Sequence, residues 1–203
     1  AMAERHHSIE RLMELLGQLP GVGPKTAERF AYHLLRIDAE QALQLAKAIT
    51  DVRAAVRACS RCFQLDAADP CSICSDPSRD QRRILVVEDP REVARFEDAG
   101  YRGLYHVLQG RVSQTEGIGP DDLTIQALLR RVRSEQPTEV CLANNPDLEG
   151  EGTAQILAAQ LLPLGVAVTR LARGMPAGAS ITQLSRSILT DALEGRRPVR
   201  PAE

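Results

Sequence analysis

Four cysteines stand at metal-ligand spacing. Two residues separate Cys59 from Cys62, two separate Cys71 from Cys74, and eight lie between the pairs. Four thiolates in two knuckles can close a tetrahedral shell, and zinc suits that donor set in a reducing compartment. Spacing alone leaves iron open. A shell of four protein ligands offers no position to a substrate, so the expected role is structural. A disulfide reading needs an oxidising compartment, to which nothing in the sequence points. The fifth cysteine, Cys141, lies inside an apolar run and reads as core.

A second cluster is acidic. Glu88 ends the run "ILVVE", and Asp147, Glu149 and Glu151 follow the run "EVCLA" within "NPDLEGE". Carboxylates at the ends of neighbouring strands can hold Mg²⁺ and support phosphoryl transfer. They can equally cap a helix or form a surface.

The third candidate is "LPGVGPKTAERF", residues 19–30. It is not a P-loop, because Pro24 separates Gly23 from Lys25 and no glycine stands at the earlier position. The dinucleotide fingerprint fails too, since Thr26 replaces its last glycine and no strand precedes it. Helix, "GVG" turn, helix is the helix-hairpin-helix pattern. Gly21 and Gly23 let backbone approach a phosphate, and the second helix's N-terminal N–H groups donate to it. Lys25 and Arg29, one helical turn apart, add charge on one face. An echo, "GIGP" at 117–120, is followed by Asp121 and Asp122, which repel phosphate, so a structural turn is expected there.

These residues need elements to hold them. Ser8 can cap a first helix with Ile9, Leu12, Met13, Leu16 and Leu19 at helical spacing. A second helix is expected over 24–36, with Pro24 in its first turn. Asp38 can cap a third, carrying Leu43, Leu45, Ala46, Ile49, Val52 and Val56. After the cysteines the period changes. Residues 84–88, 105–108, 139–143 and 166–172 read as buried strands, with helices near 91–98, 121–134 and 150–162 and a last one over 180–194. Such alternation implies a parallel sheet. The fold class is therefore α/β in several parts: a helix-hairpin-helix domain over 3–57, a four-cysteine finger over 58–79, a parallel-sheet domain over 80–175, and a C-terminal helix and tail over 176–203.

Composition is that of an ordinary globular chain, 43% apolar and 26% charged over 203 residues. Apolar runs are too short to span a bilayer and no charged-then-apolar leader is visible, so a cytoplasmic location with no membrane is expected. The net charge of -2 does not advertise a nucleic-acid partner. Local runs, "RDQRR" at 79–83 and Arg130, Arg131 and Arg133, could do so or could be solvated faces.

The order of parts adds a resemblance. The acidic layout is similar to the Toprim domain of topoisomerases and bacterial primases, which has Asp where this chain has Asn145. Tyr32, Tyr101 and Tyr105 lie outside any topoisomerase-like nucleophile motif. Helix-hairpin-helix, finger, then Toprim resembles the bacterial recombination mediator family RecR along nearly the whole chain. The matching stretches include "LPGVGPKTAERFAYHLL", "CSICSDPSRD", "YRGLYHVLQG", "GIGPDDL", "NPDLEGE" and "ALEGR". The resemblance implies a non-catalytic DNA-repair protein, a dimer or ring-shaped tetramer able to encircle DNA. It would work with RecO and RecF to load RecA on single-stranded DNA. It implies zinc at Cys59, Cys62, Cys71 and Cys74, DNA contacts at Gly21, Gly23, Lys25 and Arg29, and RecO docking at Glu88, Asp147, Glu149 and Glu151. Weak Mg²⁺ binding at those acids stays open, and the rival reading is a Mg²⁺-dependent Toprim nuclease or strand-passage enzyme. One segment departs from the family. Ser180, Thr182 and Ser185 stand where its members usually carry acids.

Overall fold

The computed structural model describes residues 6–196 and Pro198. The first residues of the expected 3–57 domain and most of the basic tail lie outside the described residues. Contacts divide the chain into two compact units that part at Val56.

The first unit holds helices α1 (His7–Gly17), α2 (Pro24–Arg36) and α3 (Ala39–Ala55). Ser8, expected as the cap of α1, lies inside its first turn. His6 is the cap, its Nδ1 accepting the Ser8 N–H at 3.3 Å, because an imidazole nitrogen can accept as a short polar side chain does. Small residues let α1 and α2 approach. A Cβ on Gly17 would stand 3.9 Å from that of Ala27, and Ala27 and Ala31 are buried. The expected apolar stripe of α3 is present but uncovered. The helix buries no residue, and Leu43, Ile49 and Val52 are 69%, 57% and 52% exposed.

The second unit begins with a two-stranded ribbon, β1 (Arg57–Ala58) and β2 (Leu65–Asp66), and a short helix α4 (Ser72–Ser75). Then come β3 (Asp80–Val87), α5 (Pro90–Asp98), β4 (Gly103–Val107), α6 (Ile125–Glu135), β5 (Glu139–Leu142), α7 (Leu148–Leu161), β6 (Ala167–Arg170) and α8 (Arg186–Glu194). The sheet order is β4-β3-β5-β6, all parallel, with Leu85 paired to Tyr105 on one side and Cys141 on the other. Three helices start later or earlier than their periodicity suggests, because the caps decide. A 3₁₀ turn at Pro120–Asp122 precedes α6, Asp147 caps α7, and Ser185 caps α8.

Strand alternation sends side chains to two faces. Ile84, Val86, Leu104, Val140 and Leu142 meet Leu128, Leu129 and Val132 of α6 and Leu157 and Leu161 of α7. Leu85, Val87, Tyr105 and Val107 meet Val93 and Phe96 of α5 on the opposite face. Phe63 and Ile73, from the cysteine segment, pack on that second face as well, beside the half-buried Cys141. Both faces are covered, as a parallel sheet requires. The expectation of four buried strands needs one correction. β6 pairs only with β5, stands at the edge, and is half-exposed.

Candidate functional site

The cysteine cluster is built by its two knuckles. The ligand sulfurs of Cys59, Cys62, Cys71 and Cys74 lie within 4.8 Å of one another and all four residues are buried. Backbone N–H groups aim at them: Arg61 and Cys71 donate to Cys59 Sγ at 3.4 and 3.3 Å, and Cys74 donates to Cys71 Sγ at 3.4 Å. Asp66 of β2 anchors the second knuckle, accepting the Ser72 N–H at 2.9 Å and its hydroxyl at 2.8 Å. Among the thiols, hydrogen bonding with Cys74 pushes Cys62 up, and burial pushes Cys71 up to about 11. The same contact with Cys62 holds Cys74 down to about 6, aided by Arg131 and Arg61. Converging sulfurs, donors on the sulfurs and two nearby guanidinium groups fit a tetrahedral thiolate metal site.

The cluster is joined to the sheet. Arg61 forks onto Glu135 at 2.8 and 3.1 Å and reaches the Cys74 carbonyl at 3.1 Å. Arg131 donates to the same Glu135 at 3.0 Å and to the Tyr105 carbonyl at 2.7 Å. The Cys62 carbonyl accepts the Val107 N–H at 2.8 Å, and Gln109 Nε2 donates to the Phe63 carbonyl at 2.6 Å. The basic runs singled out in the sequence are thereby partly spent inside the fold. Arg131 is buried in this network, Arg79 is buried against Glu97, and Arg83 pairs with Asp80.

The acidic elbow lies at the carboxyl ends of β3 and β5, but its four acids do not converge. Among the described residues the cysteines form the one set of three or more metal-ligating side chains whose donor atoms meet. Each acid is engaged by protein donors, and two of the four share one. Glu88 is buried and accepts Asn144 Nδ2 at 3.1 Å, the Asn145 N–H at 3.1 Å and Asn145 Nδ2 at 2.7 Å. Asp147 caps α7 through the Gly150 N–H at 2.8 Å and pairs with Arg111 at 2.6 Å. The Gly150 contact first, then Arg111, holds the Asp147 carboxyl below its ordinary value. Glu149 pairs with Arg111 at 2.9 Å and accepts the Ser113 hydroxyl. Glu151 pairs with Arg170 at 2.8 Å and with Arg173. Gly150 is obligatory here. A Cβ on it would stand 2.2 Å from the Asn145 carbonyl oxygen. Sequence reasoning missed Arg111, Arg170 and Arg173, for no motif marks a cation supplied from a distant loop or strand end.

No activated tyrosine stands nearby. Tyr105 is fully buried, its hydroxyl donates to Glu97 at 2.6 Å, and burial with that contact pushes its pKa up; burial does the same to Tyr101.

The hairpin is arranged differently. Gly21 has φ +77, where glycine is favoured, and nothing stands within 4 Å of a Cβ built on Gly21 or Gly23. Gly23 caps α2, its carbonyl accepting the Thr26 and Ala27 N–H groups at 3.0 and 2.9 Å. Pro24 has no N–H, and the Gly23 and Lys25 N–H groups have no hydrogen-bond partner among the described residues. Lys25 and Arg29 are exposed, and neither makes an ion pair among the described residues. The echo at 117–120 is closed instead, with Asp122 accepting the Gly119 N–H at 2.8 Å.

Comparison with known proteins agrees with this layout. The family model for "RecR, helix-hairpin-helix" matches residues 9–53, and that for the Toprim domain matches residues 82–172. A protein of Chloroflexus aurantiacus named Recombination protein RecR is 52% identical over 190 residues, 93% of each chain. Proteins of the same name from Pelotomaculum thermopropionicum and Rhodopirellula baltica are 49% and 46% identical, over 95% and 94% of this chain and 96% of each of theirs. A solved periplasmic metal binding protein from candidatus liberibacter asiaticus aligns with 92% of this chain and 57% of its own, at 16% identity and TM-score 0.28, too low to carry an argument.

Proposed function

The chain belongs to the recombination protein RecR family, a non-catalytic family of DNA recombination and repair, and we propose that it acts as a mediator that grips DNA through its hairpin. In this reading it works with RecO and RecF to load RecA on single-stranded DNA. The observation that carries the reading is the contrast between two similar turns. At Gly21–Lys25 the N–H groups of Gly23 and Lys25 are open and two exposed cations flank them, whereas Gly117–Pro120 is closed by its own Asp122. Open N–H groups and two cations suit a phosphate and carry no base preference.

Gly21, Gly23, Lys25 and Arg29 form the proposed DNA contact, to single and double strands alike. With net charge -2, a single hairpin binds weakly, and an assembly concentrates several at one site. The uncovered apolar face of α3 supports self-association into a dimer or a ring-shaped tetramer. Cys59, Cys62, Cys71 and Cys74 hold one structural Zn²⁺, which cross-links the two knuckles. Glu88, Asp147, Glu149 and Glu151 form the docking region for RecO. The place of work is the cytoplasm, at the nucleoid; no helix among the described residues is long and apolar enough to cross a membrane.

The test is DNA binding by the zinc-loaded chain across salt, with molar mass followed by light scattering. Lys25→Ala with Arg29→Ala should weaken binding without lowering the unfolding temperature, and wild-type affinity should fall as salt rises. Full binding by the double variant, or salt-insensitive binding, would contradict the reading. DNA cleavage or relaxation in Mg²⁺ that Glu88→Gln abolishes would favour the Toprim enzyme instead.

A further inference from the structure

We infer that the Arg111 guanidinium takes the place of a divalent cation in the Toprim frame of this chain, so that Asp147 and Glu149 hold an internal cation and exclude Mg²⁺. The inference stands on the Toprim frame and does not depend on how RecO docks.

The donor set does not fit a hard dication. Mg²⁺ asks for oxygen ligands in near-octahedral array, usually with carboxylates among them. Here Asn145 presents N–H donors toward Glu88, at 2.7 Å from Nδ2 and 3.1 Å from the backbone, so Glu88 is already engaged from that side. Glu92, a neighbouring acid, closes the cap of α5 by accepting the Glu88 and Asp89 N–H groups at 2.8 and 3.2 Å. Asp147 and Glu149 remain, and Arg111 spans both, with Nη1 2.6 Å from Asp147 and Nε 2.9 Å from Glu149. One guanidinium between two carboxylates meets their geometry and cancels half their charge.

The loop that carries Arg111 is pinned on both sides, which separates this arrangement from a casual surface pair. Before it, the Gly110 N–H donates to the Glu88 carbonyl at 2.9 Å, and Gly110 has φ +144. After it, the Val112 N–H donates to Thr153 Oγ1 at 2.9 Å, and that hydroxyl donates to the Glu149 carbonyl at 2.8 Å. The side chain thus leaves a loop tied to β3 on one flank and to α7 on the other, the two elements that supply the acids. Partial desolvation works against its charge, and the fields of Asp147, Glu149 and Glu88 outweigh it, holding the guanidinium pKa above the ordinary value. A dication entering the elbow would have to displace this group and would meet its repulsion.

The experiment is a Mn²⁺ titration of the zinc-loaded full chain, reading free Mn²⁺ by electron paramagnetic resonance. Arg111→Gln should bind Mn²⁺ more tightly than wild type, by about tenfold or more, and adding Asn145→Asp should tighten it further. Arg111→Lys keeps the charge and should gain nothing. Equal affinity of wild type and Arg111→Gln, whether both bind or neither does, would overturn the assignment. A second reading needs no variant. In wild type, Mn²⁺ should leave the amide resonances of Glu149 and Gly150 sharp, and selective broadening there would overturn it equally.

Discussion

The cysteine cluster and the acidic elbow are both sets of four ionisable side chains, and the fold treats them in opposite ways. The four thiols are brought within 4.8 Å of one another. The four carboxylates do not converge on one point and are engaged by protein donors: asparagine amides for Glu88, Arg111 shared by Asp147 and Glu149, Arg170 and Arg173 for Glu151. Converging sulfurs that ionise together need a cation between them, so the first set suits a metal. Dispersed and paired anions do not. Spacing in sequence reveals the first case, because two knuckles fix two ligand pairs locally. It does not reveal the second, because the compensating arginines come from other elements.

The largest effect expected from this contrast follows removal of the metal. Stripping the metal with a chelator, or Cys74→Ser, should cost several kcal/mol, on the order of 4 or more, because Phe63 and Ile73 lose their frame on the sheet. Thermal unfolding measures it. Mg²⁺ added or withheld should leave the same transition unmoved, and a Mg²⁺-dependent rise would break the comparison.

The next effect is pH dependence beneath the finger. His106 is fully buried, stacks edge-on with Phe63 at 5.3 Å, and is held by burial, and then by Arg131, at about 3. Unfolding frees it to its ordinary 6.5. The neutral ring is favoured in the fold, so this contribution is fully present above pH 6.5 and is lost as pH falls toward 3. The slope approaches about 1.4 kcal/mol per pH unit within that window. Ring resonances should report a neutral His106 until the chain unfolds; a ring titrating near 6.5 in the folded chain would contradict it. Asp147, depressed by its cap and by Arg111, contributes fully above the ordinary aspartate value, and that contribution is lost as pH falls through its lower folded value.

The smallest effect is in the elbow itself. Asp147→Ala removes the cap of α7 and should cost about 1 kcal/mol. Arg111→Gln should cost less than that, as its pairs are partly solvated. Denaturant midpoints separate the two. A loss at Arg111 as large as that at Asp147 would mean that the guanidinium supports the fold and is more than a resident cation.

Much of this was legible in the sequence. The cysteine spacing, the two glycines before Lys25 and the alternation of apolar runs each encode a local rule that no distant residue overrides. The second helix spans its expected range, 24–36, because Pro24 sets its first turn and Asp38 opens the next helix. What could not be read depends on partners far along the chain. The pairing of Arg111 with residues 36 and 38 positions later, the burial of Arg131 and the edge position of β6 are set by packing alone. The exposed stripe of α3 misleads in the other direction. Its periodicity promises a core that the described residues do not supply.

The measurement that tests the contrast most directly is metal content by mass spectrometry under native conditions, on chain equilibrated with Zn²⁺, Mg²⁺ and Mn²⁺ together and then desalted. One zinc per chain is expected, lost when Cys62 and Cys74 are replaced by serine, with no second divalent ion. A second ion that disappears in Glu149→Gln while zinc stays would contradict it, and would return the elbow to the class of metal-holding sites.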